Sequence, residues 1–186
     1  DEEKIFKKYQ EYLRSNQLVD FDDLLLYPLE LLEKNERIRH HYQTGFDHVL
    51  VDEFQDTDII QYKLLKMLGI LHKNVFVVGD PDQSIYGFRG ANYENARLFV
   101  KDFNAEQIVL EQNYRSTNQI LKAANQLINY NFNRPSIKTL ESHLGLGEAP
   151  YIHHAQNDIK ESFFVVNEVR RLSQLGIRYD EMAILY

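Results

Sequence analysis

Cysteine is absent from the 186 residues, so the chain can hold neither a disulfide framework nor a thiolate metal site. Tryptophan is absent too, and only four prolines and eight glycines interrupt the chain. No apolar run approaches the roughly 18 residues that a membrane span requires; the longest are stretches such as Leu24-Leu25-Leu26. The opening residues Asp1-Glu2-Glu3-Lys4 are charged and lead straight into a helical pattern, so no signal peptide is expected and the cytoplasm is the expected location. No phosphate-binding G-x-x-x-x-G-K-[ST] motif occurs.

What is present has the balance of a globular α/β chain: 44% hydrophobic, 26% charged and 12% aromatic residues. The net charge of −7 is unevenly spread. Residues 1–60 carry 7 Lys/Arg against 15 Asp/Glu, while the stretch 112–140 holds Arg115, Lys122, Arg134 and Lys138 and no acid. The acidic total argues against a protein that coats nucleic acid in bulk, but not against a local groove, because phosphate affinity depends on where the cations lie.

Hydrophobic periodicity predicts helices first and then strands alternating with helices. Helical spacing runs through 2–15, through a segment after Asp20 that Pro28 should cap or kink, and through 58–71, 93–102 and 158–174. Ser116 and Gln119 read as a capping box for a further helix through Ile128. Strands are expected at 46–51 and 75–78, both buried on two faces, and at 108–110, 150–154 and 182–185. Residues 133–150 read as a long loop. The alternation implies helices flanking a mostly parallel sheet. A chain that stops on Tyr186 directly after an apolar run is expected to be a fragment of something larger.

In parallel α/β sheets ligands lie beyond the carboxyl ends of the strands, and three polar clusters fall there. Asp52, Glu53, Gln55 and Asp56 follow the first strand. An acid so placed can hold magnesium beside substrate phosphates, and its neighbour can orient or deprotonate a water; the alternative is a solvated strand end that leads into the next helix. The second cluster is Gly79-Asp80-Pro81-Asp82-Gln83-Ser84-Ile85-Tyr86-Gly87-Phe88-Arg89-Gly90-Ala91. Tyr86 and Phe88 offer faces for base stacking and Arg89 a phosphate contact, or these rings plug the sheet edge. The third, from Val109 to Thr117, sets Arg115 between a strand and a helix start, as a finger toward a phosphoryl group or as one half of a surface salt bridge.

The order VDEFQDT, VVGDPDQSIYGFRGA, LEQNYRST closely resembles the superfamily 1 DNA helicases of the UvrD, PcrA and Rep type. The stretch Val19-Asp20-Phe21-Asp22-Asp23-Leu24-Leu25 is similar to one those helicases carry upstream of their acidic motif. The resemblance implies a RecA-like P-loop NTPase helicase fold, incomplete here: the end of an inserted helical subdomain at 1–20, the later part of a first RecA-like domain at 21–112, and the beginning of a second at 113–186. It implies an ATP-dependent 3′-to-5′ helicase and translocase on single-stranded DNA, in repair or replication.

Carried over residue by residue, the resemblance makes Asp52 the magnesium ligand and Glu53 the catalytic base. Gln83 becomes the sensor of the γ-phosphate, Arg115 an arginine finger, and Tyr114 its neighbour at the nucleotide. Tyr86, Phe88 and Arg89 become single-stranded DNA contacts. ATP and Mg²⁺ are the implied cofactors; single-stranded DNA, single/double-strand junctions and repair or replication proteins are the implied partners, with no membrane. Two positions depart from the pattern: Phe54 replaces a frequent tyrosine, and Phe88 a tryptophan.

Without its phosphate cradle the isolated chain is expected to be inactive. The helicase half of a RecB- or AddA-like helicase-nuclease, or a non-catalytic helicase-like DNA-binding module, are the alternatives. Asp20, Asp22 and Asp23 read as helix capping rather than a metal cluster, and the pairs His40-His41 and His153-His154 as exposed positions rather than zinc ligands.

Overall fold

The computed structural model describes residues 2–131, 134 and 137–186. It is an α/β chain with two short parallel sheets. Helices α1 (Glu2–Ser15), α2 (Asp23–Lys34) and α3 (Glu36–Gly45) come first. Strand β1 (Val49–Val51), helix α4 (Ile59–Gly69), strand β2 (Val75–Val77) and helix α5 (Asn95–Phe103) follow. The chain continues through β3 (Gln112–Asn113), α6 (Asn118–Ile128), β4 (Glu141–Ser142) and α7 (Asp158–Gln174).

Aspartates stand at the starts of α2 and α4. Asp20 and Asp23 exchange hydrogen bonds, each carboxylate accepting the other's backbone N–H, so Asp20 caps as expected, one turn ahead of α2. Asp58 and Gln61 form a full capping box on α4. Pro28 sits inside α2 without ending it. A proline there removes one helical bond at a cost of about 3 kcal/mol, which the buried Leu29 and Leu32 on the same helix offset. Helix α3 has no counterpart in the expected pattern; Asn35 caps it by accepting the Ile38 N–H, and Gln43 ties it to α4 by donating to the Met67 carbonyl at 2.6 Å.

Strands β1 and β2 pair in parallel, Val49 with Val75 and Val51 with Val77. Their valines face a core of Phe54, Tyr62, Leu65, Phe99 and Phe103. The ring of Phe54 meets Phe99 edge-on at 5.6 Å, and Phe99 lies 4.8 Å from Phe103. The phenylalanine at position 54 is therefore a core residue with no hydroxyl to satisfy. The Tyr62 hydroxyl reaches Asp102 at 2.8 Å, and Lys66 closes on the same carboxylate oxygen. Burial and that carboxylate both push the Tyr62 pKa up.

Several expectations are corrected. The first strand covers 49–51 rather than 46–51, and it is not covered on both faces: Leu50 is 74% exposed and its partner Phe76 is 59% exposed. An apolar run cannot distinguish a strand with two covered faces from one whose second face is open in this chain. No strand forms at 108–110, 150–154 or 182–185, where the apolar side chains find no partner strand and lie mostly exposed. The pairing shifts instead to Gln112–Asn113, just past the expected strand at 108–110, with Glu141–Ser142 inside the expected loop. The start of that loop, at Asn133, Pro135 and Ser136, lies outside the described residues. The capping box of Ser116 and Gln119 does not form. Backbone N–H groups of Asn118 and Gln119 donate to the carbonyls of Gly145 and Leu146, so the returning loop does the capping. That loop approaches closely, for a Cβ on Gly147, at φ +67°, would lie 2.1 Å from the Thr117 Oγ1.

Candidate functional site

The polar clusters sit where β1 and β2 end. Glu53, the second residue past β1, takes a left-handed backbone (φ 49°, ψ 41°), and its N–H donates to the Asp52 carboxylate at 2.9 Å. The chain then turns inward, burying Phe54 and Gln55 while Asp52 and Glu53 stay exposed. Gln55 joins the two strand ends: its amide N–H donates to Glu53 Oε2 at 2.7 Å, and its Oε1 accepts the Asp80 N–H at 2.9 Å. Its backbone carbonyl accepts the Ser84 hydroxyl at 3.1 Å. Such close approach demands glycine at position 79, since a Cβ there would lie 2.6 Å from Gln55 Oε1.

Asp80 organises the second loop. Its carboxylate accepts the Asp82 N–H and the Gln83 amide, the latter at 2.8 Å, and pairs with Lys138 at 2.5 Å. Burial raises the Asp80 pKa, but the bonds from Lys138 and Gln83 outweigh it and hold the carboxyl below its usual range. Next to it Arg134 grips Asp82 with a two-pronged contact, Nε to Oδ1 at 2.8 Å and an amino nitrogen to Oδ2 at 2.5 Å. Two of the four cations in the acid-free stretch 112–140 are thus engaged by first-half carboxylates.

Farther along the loop the rings of Tyr86 and Phe88 lie 6.0 Å apart, with the Arg89 guanidinium 5.4 Å from each centroid. Phe88 is 79% exposed and Ile85 71%, so these side chains do not plug the sheet. The loop is pinned behind them by Asn92, whose N–H donates to the Thr57 carbonyl, and by the fully buried Asn95, which donates to Thr57 and Asp58.

Tyr114 and Arg115 stand apart. The Tyr114 ring packs 5.2 Å from His143, and Asn113 Oδ1 accepts the Arg115 and Ser116 N–H groups. Arg115 is exposed and makes no ion pair among the described residues. The structure therefore links Asp52, Glu53 and Gln83 in one network and Tyr86, Phe88 and Arg89 in one contact group, and it joins Tyr114 and Arg115 to neither. In the sequence Gln55 reads only as a polar residue past the strand, and Arg134 and Lys138 only as cations. Their partners are distant in the chain, and no local pattern signals them.

The donor set at Asp52 is one accessible carboxylate, and no group of three or more metal-ligating side chains occurs among the described residues. That suits magnesium arriving with substrate phosphates rather than a caged resident ion. His40, His41, His153 and His154 are exposed, and among the described residues no helix is long and apolar enough to cross a membrane.

Parallel strands joined by helices, with polar loops gathered past the strands' carboxyl ends, place the chain among the α/β proteins. Residues 1–104 match the family described as the UvrD/REP helicase N-terminal domain, and residues 108–186 the UvrD-like helicase C-terminal domain. The chain belongs to the UvrD/REP helicase family. It is 46% identical over 183 residues to DNA helicase II of Haemophilus influenzae. It is 42% and 43% identical over 183 residues to the ATP-dependent DNA helicases PcrA of Staphylococcus epidermidis and Staphylococcus aureus. Each alignment takes in 98% of this chain, which spans about a quarter of the length of these relatives (25%).

Proposed function

We propose that this chain is the central portion of an ATP-driven DNA helicase that translocates 3′ to 5′ on single-stranded DNA and unwinds duplex at junctions, in repair or replication in the cytoplasm. Residues 1–20 close an inserted helical subdomain, 21–112 belong to a first RecA-like domain and 113–186 begin a second. The observation that carries this reading is the bonded path from Glu53 through Gln55 to the Asp80–Gln83 loop, which runs on into the exposed Tyr86, Phe88 and Arg89.

In this reading Asp52 holds magnesium against the nucleotide phosphates. Bound there, magnesium would supply positive charge to offset that building on the phosphoryl oxygens. Glu53, exposed and fixed by Gln55, orients the attacking water and takes its proton. Gln83 contacts the γ-phosphate, while Arg115, beside Tyr114 at the nucleotide, stabilises charge in the transition state. Phe88 and Tyr86 stack on bases and Arg89 pairs with the backbone. Having no G-x-x-x-x-G-K-[ST] motif, the chain alone does not turn over ATP.

Two variants of the full-length parent test the assignment. Glu53→Gln should abolish turnover while nucleotide binding persists; lost binding with retained hydrolysis refutes the role of Glu53. Phe88→Ala should lose about 1–3 kcal/mol of single-strand affinity without changing its salt dependence, whereas Arg89→Ala should reduce the salt slope. Undiminished affinity for Phe88→Ala, or equal slopes for the two, would make these residues structural.

A further inference from the structure

The four cations of residues 112–140 share a stretch without acids, yet two of them do not face solvent. Arg134 and Asp82 retain only 6% and 11% of their side-chain exposure, and Lys138 and Asp80 only 14% and 22%. Both acids belong to the loop after β2, and both bases reach it from the second half of the chain.

The bases are held firmly on that side. Asn125 of α6 forms a reciprocal pair with Leu140, donating to its carbonyl at 3.0 Å and accepting its N–H at 3.2 Å. The Glu111 carboxylate accepts the Thr139 N–H, and the Arg134 guanidinium also reaches the Lys138 carbonyl at 3.3 Å. Lys138 thus extends from a framework fixed to α6 and to Glu111, and Arg134 is tied to it through the Lys138 carbonyl. The acids are held equally firmly on the other side, where Asp80 is tied to Gln55 through its N–H and to Gln83 through its carboxylate.

We propose that Arg134 and Lys138 are positioning residues: their ion pairs with Asp82 and Asp80 let the second half of the chain set the placement of Gln83. Asp80 has one carboxylate oxygen on Lys138 and the other on the Gln83 amide, so the lysine fixes the carboxylate that fixes the glutamine. Arg134, by its planar two-pronged grip on Asp82, fixes the adjacent turn in orientation as well as distance. When the halves separate, both pairs break and Gln83 is released from that geometry. The proposal rests on the reading of Gln83 as the γ-phosphate contact, and it adds a route by which the relative position of the two halves controls that contact.

The test uses the full-length parent, with ATP turnover measured on a saturating single-stranded oligonucleotide. Lys138→Met and Arg134→Gln should each lower kcat on the order of 10–100-fold while KM for ATP moves less than about threefold, as misplacement of a transition-state group does. The charge-reversed double variant Asp82→Arg/Arg134→Asp should recover most of the loss, and Arg134→Lys only part of it, because the ammonium keeps the charge and loses the fork. Gln83→Ala is measured beside them. If it lowers kcat while the latch variants keep normal kcat, even with a lowered melting temperature, the pairs merely fasten the halves and the proposal is overturned. If Gln83→Ala leaves kcat unchanged, the reading of Gln83 itself fails and the proposal with it.

Discussion

Removing the Gln55 side chain should damage stability and catalysis by amounts that can be worked out from its bonds. Gln55 is buried, 7% exposed, and its Oε1 accepts the Asp80 N–H. In Gln55→Ala that N–H is left without its acceptor, at a cost of about 1–3 kcal/mol. The bond to Glu53 costs less to lose, because Glu53 is exposed and water can replace the amide. With the small void left behind, the expected destabilisation is about 2–4 kcal/mol. At a urea dependence of about 2 kcal/mol per molar, the unfolding midpoint should fall by about 1–2 M. Gln55→Glu separates the two functions. It keeps an acceptor for Asp80 but sets a carboxylate oxygen against Glu53 Oε2, where the amide nitrogen stood at 2.7 Å. Like charges so close repel and push Glu53 out of its place, so kcat of the parent should fall by about tenfold or more while the unfolding midpoint falls less than in Gln55→Ala. A midpoint unchanged for Gln55→Ala and an unchanged kcat for Gln55→Glu would refute the view that Gln55 joins the strand ends.

Gly79→Ala should destabilise by about 1–3 kcal/mol in the same urea titration, because the new methyl would have to displace Gln55 Oε1 and crowd the N–H groups of Phe54 and Gln55, each at 3.1 Å; full wild-type stability would contradict this packing. Asp102 supplies an acid-dependent contribution: hydrogen bonds from Lys66 and then Tyr62 hold its carboxyl below the usual range against the opposing effect of burial. Its folded pKa is depressed, so its contribution is complete above the unfolded value of about 3.9 and is lost as pH falls through the lower folded value. Melting temperatures of Asp102→Asn should therefore decline less steeply than those of the wild type between about pH 4 and pH 2, and parallel declines would refute the assignment.

The alternation of strands and helices was legible because Val49, Val51, Val75 and Val77 form apolar runs bounded by polar clusters, and α1, α4 and α7 carry helical spacing. The strand ends were legible for the same reason, since the apolar runs stop at the polar clusters Asp52-Glu53 and Gly79-Asp80. Helix α3 escapes such reading because its opening residues, Glu36-Arg37-Ile38-Arg39-His40-His41-Tyr42, have little apolar stripe; a cap, Gln43 on α4 and Arg39, which donates to the Leu32 and Glu33 carbonyls of α2, hold it in place. Residues 108–110, 150–154 and 182–185 have strand composition, yet composition cannot supply the neighbouring strand that a ladder needs. Ser116 and Gln119 had the right spacing for a cap, but the carbonyls of Gly145 and Leu146 take the N–H groups at the helix start.

The residues that escaped sequence reasoning at the site share one property: each acts through a partner far along the chain. Ser84 is pinned to the Gln55 carbonyl and Asn92 to the Thr57 carbonyl, so residues 85–91 form a span anchored at both ends to one short segment after β1. Within that span the N–H groups of Arg89 and Ala91 both donate to the Tyr86 carbonyl, which folds it into a tight unit carrying the two rings and the guanidinium. A displacement applied at Gln83, immediately before the first anchor, cannot dissipate in slack backbone; it must be taken up by the anchors or by this unit. Coupling between the two ends of the loop is thus a matter of how stiffly residues 54–58 hold it, and Asn95, which donates to Thr57 twice and to Asp58 once, stiffens them from behind.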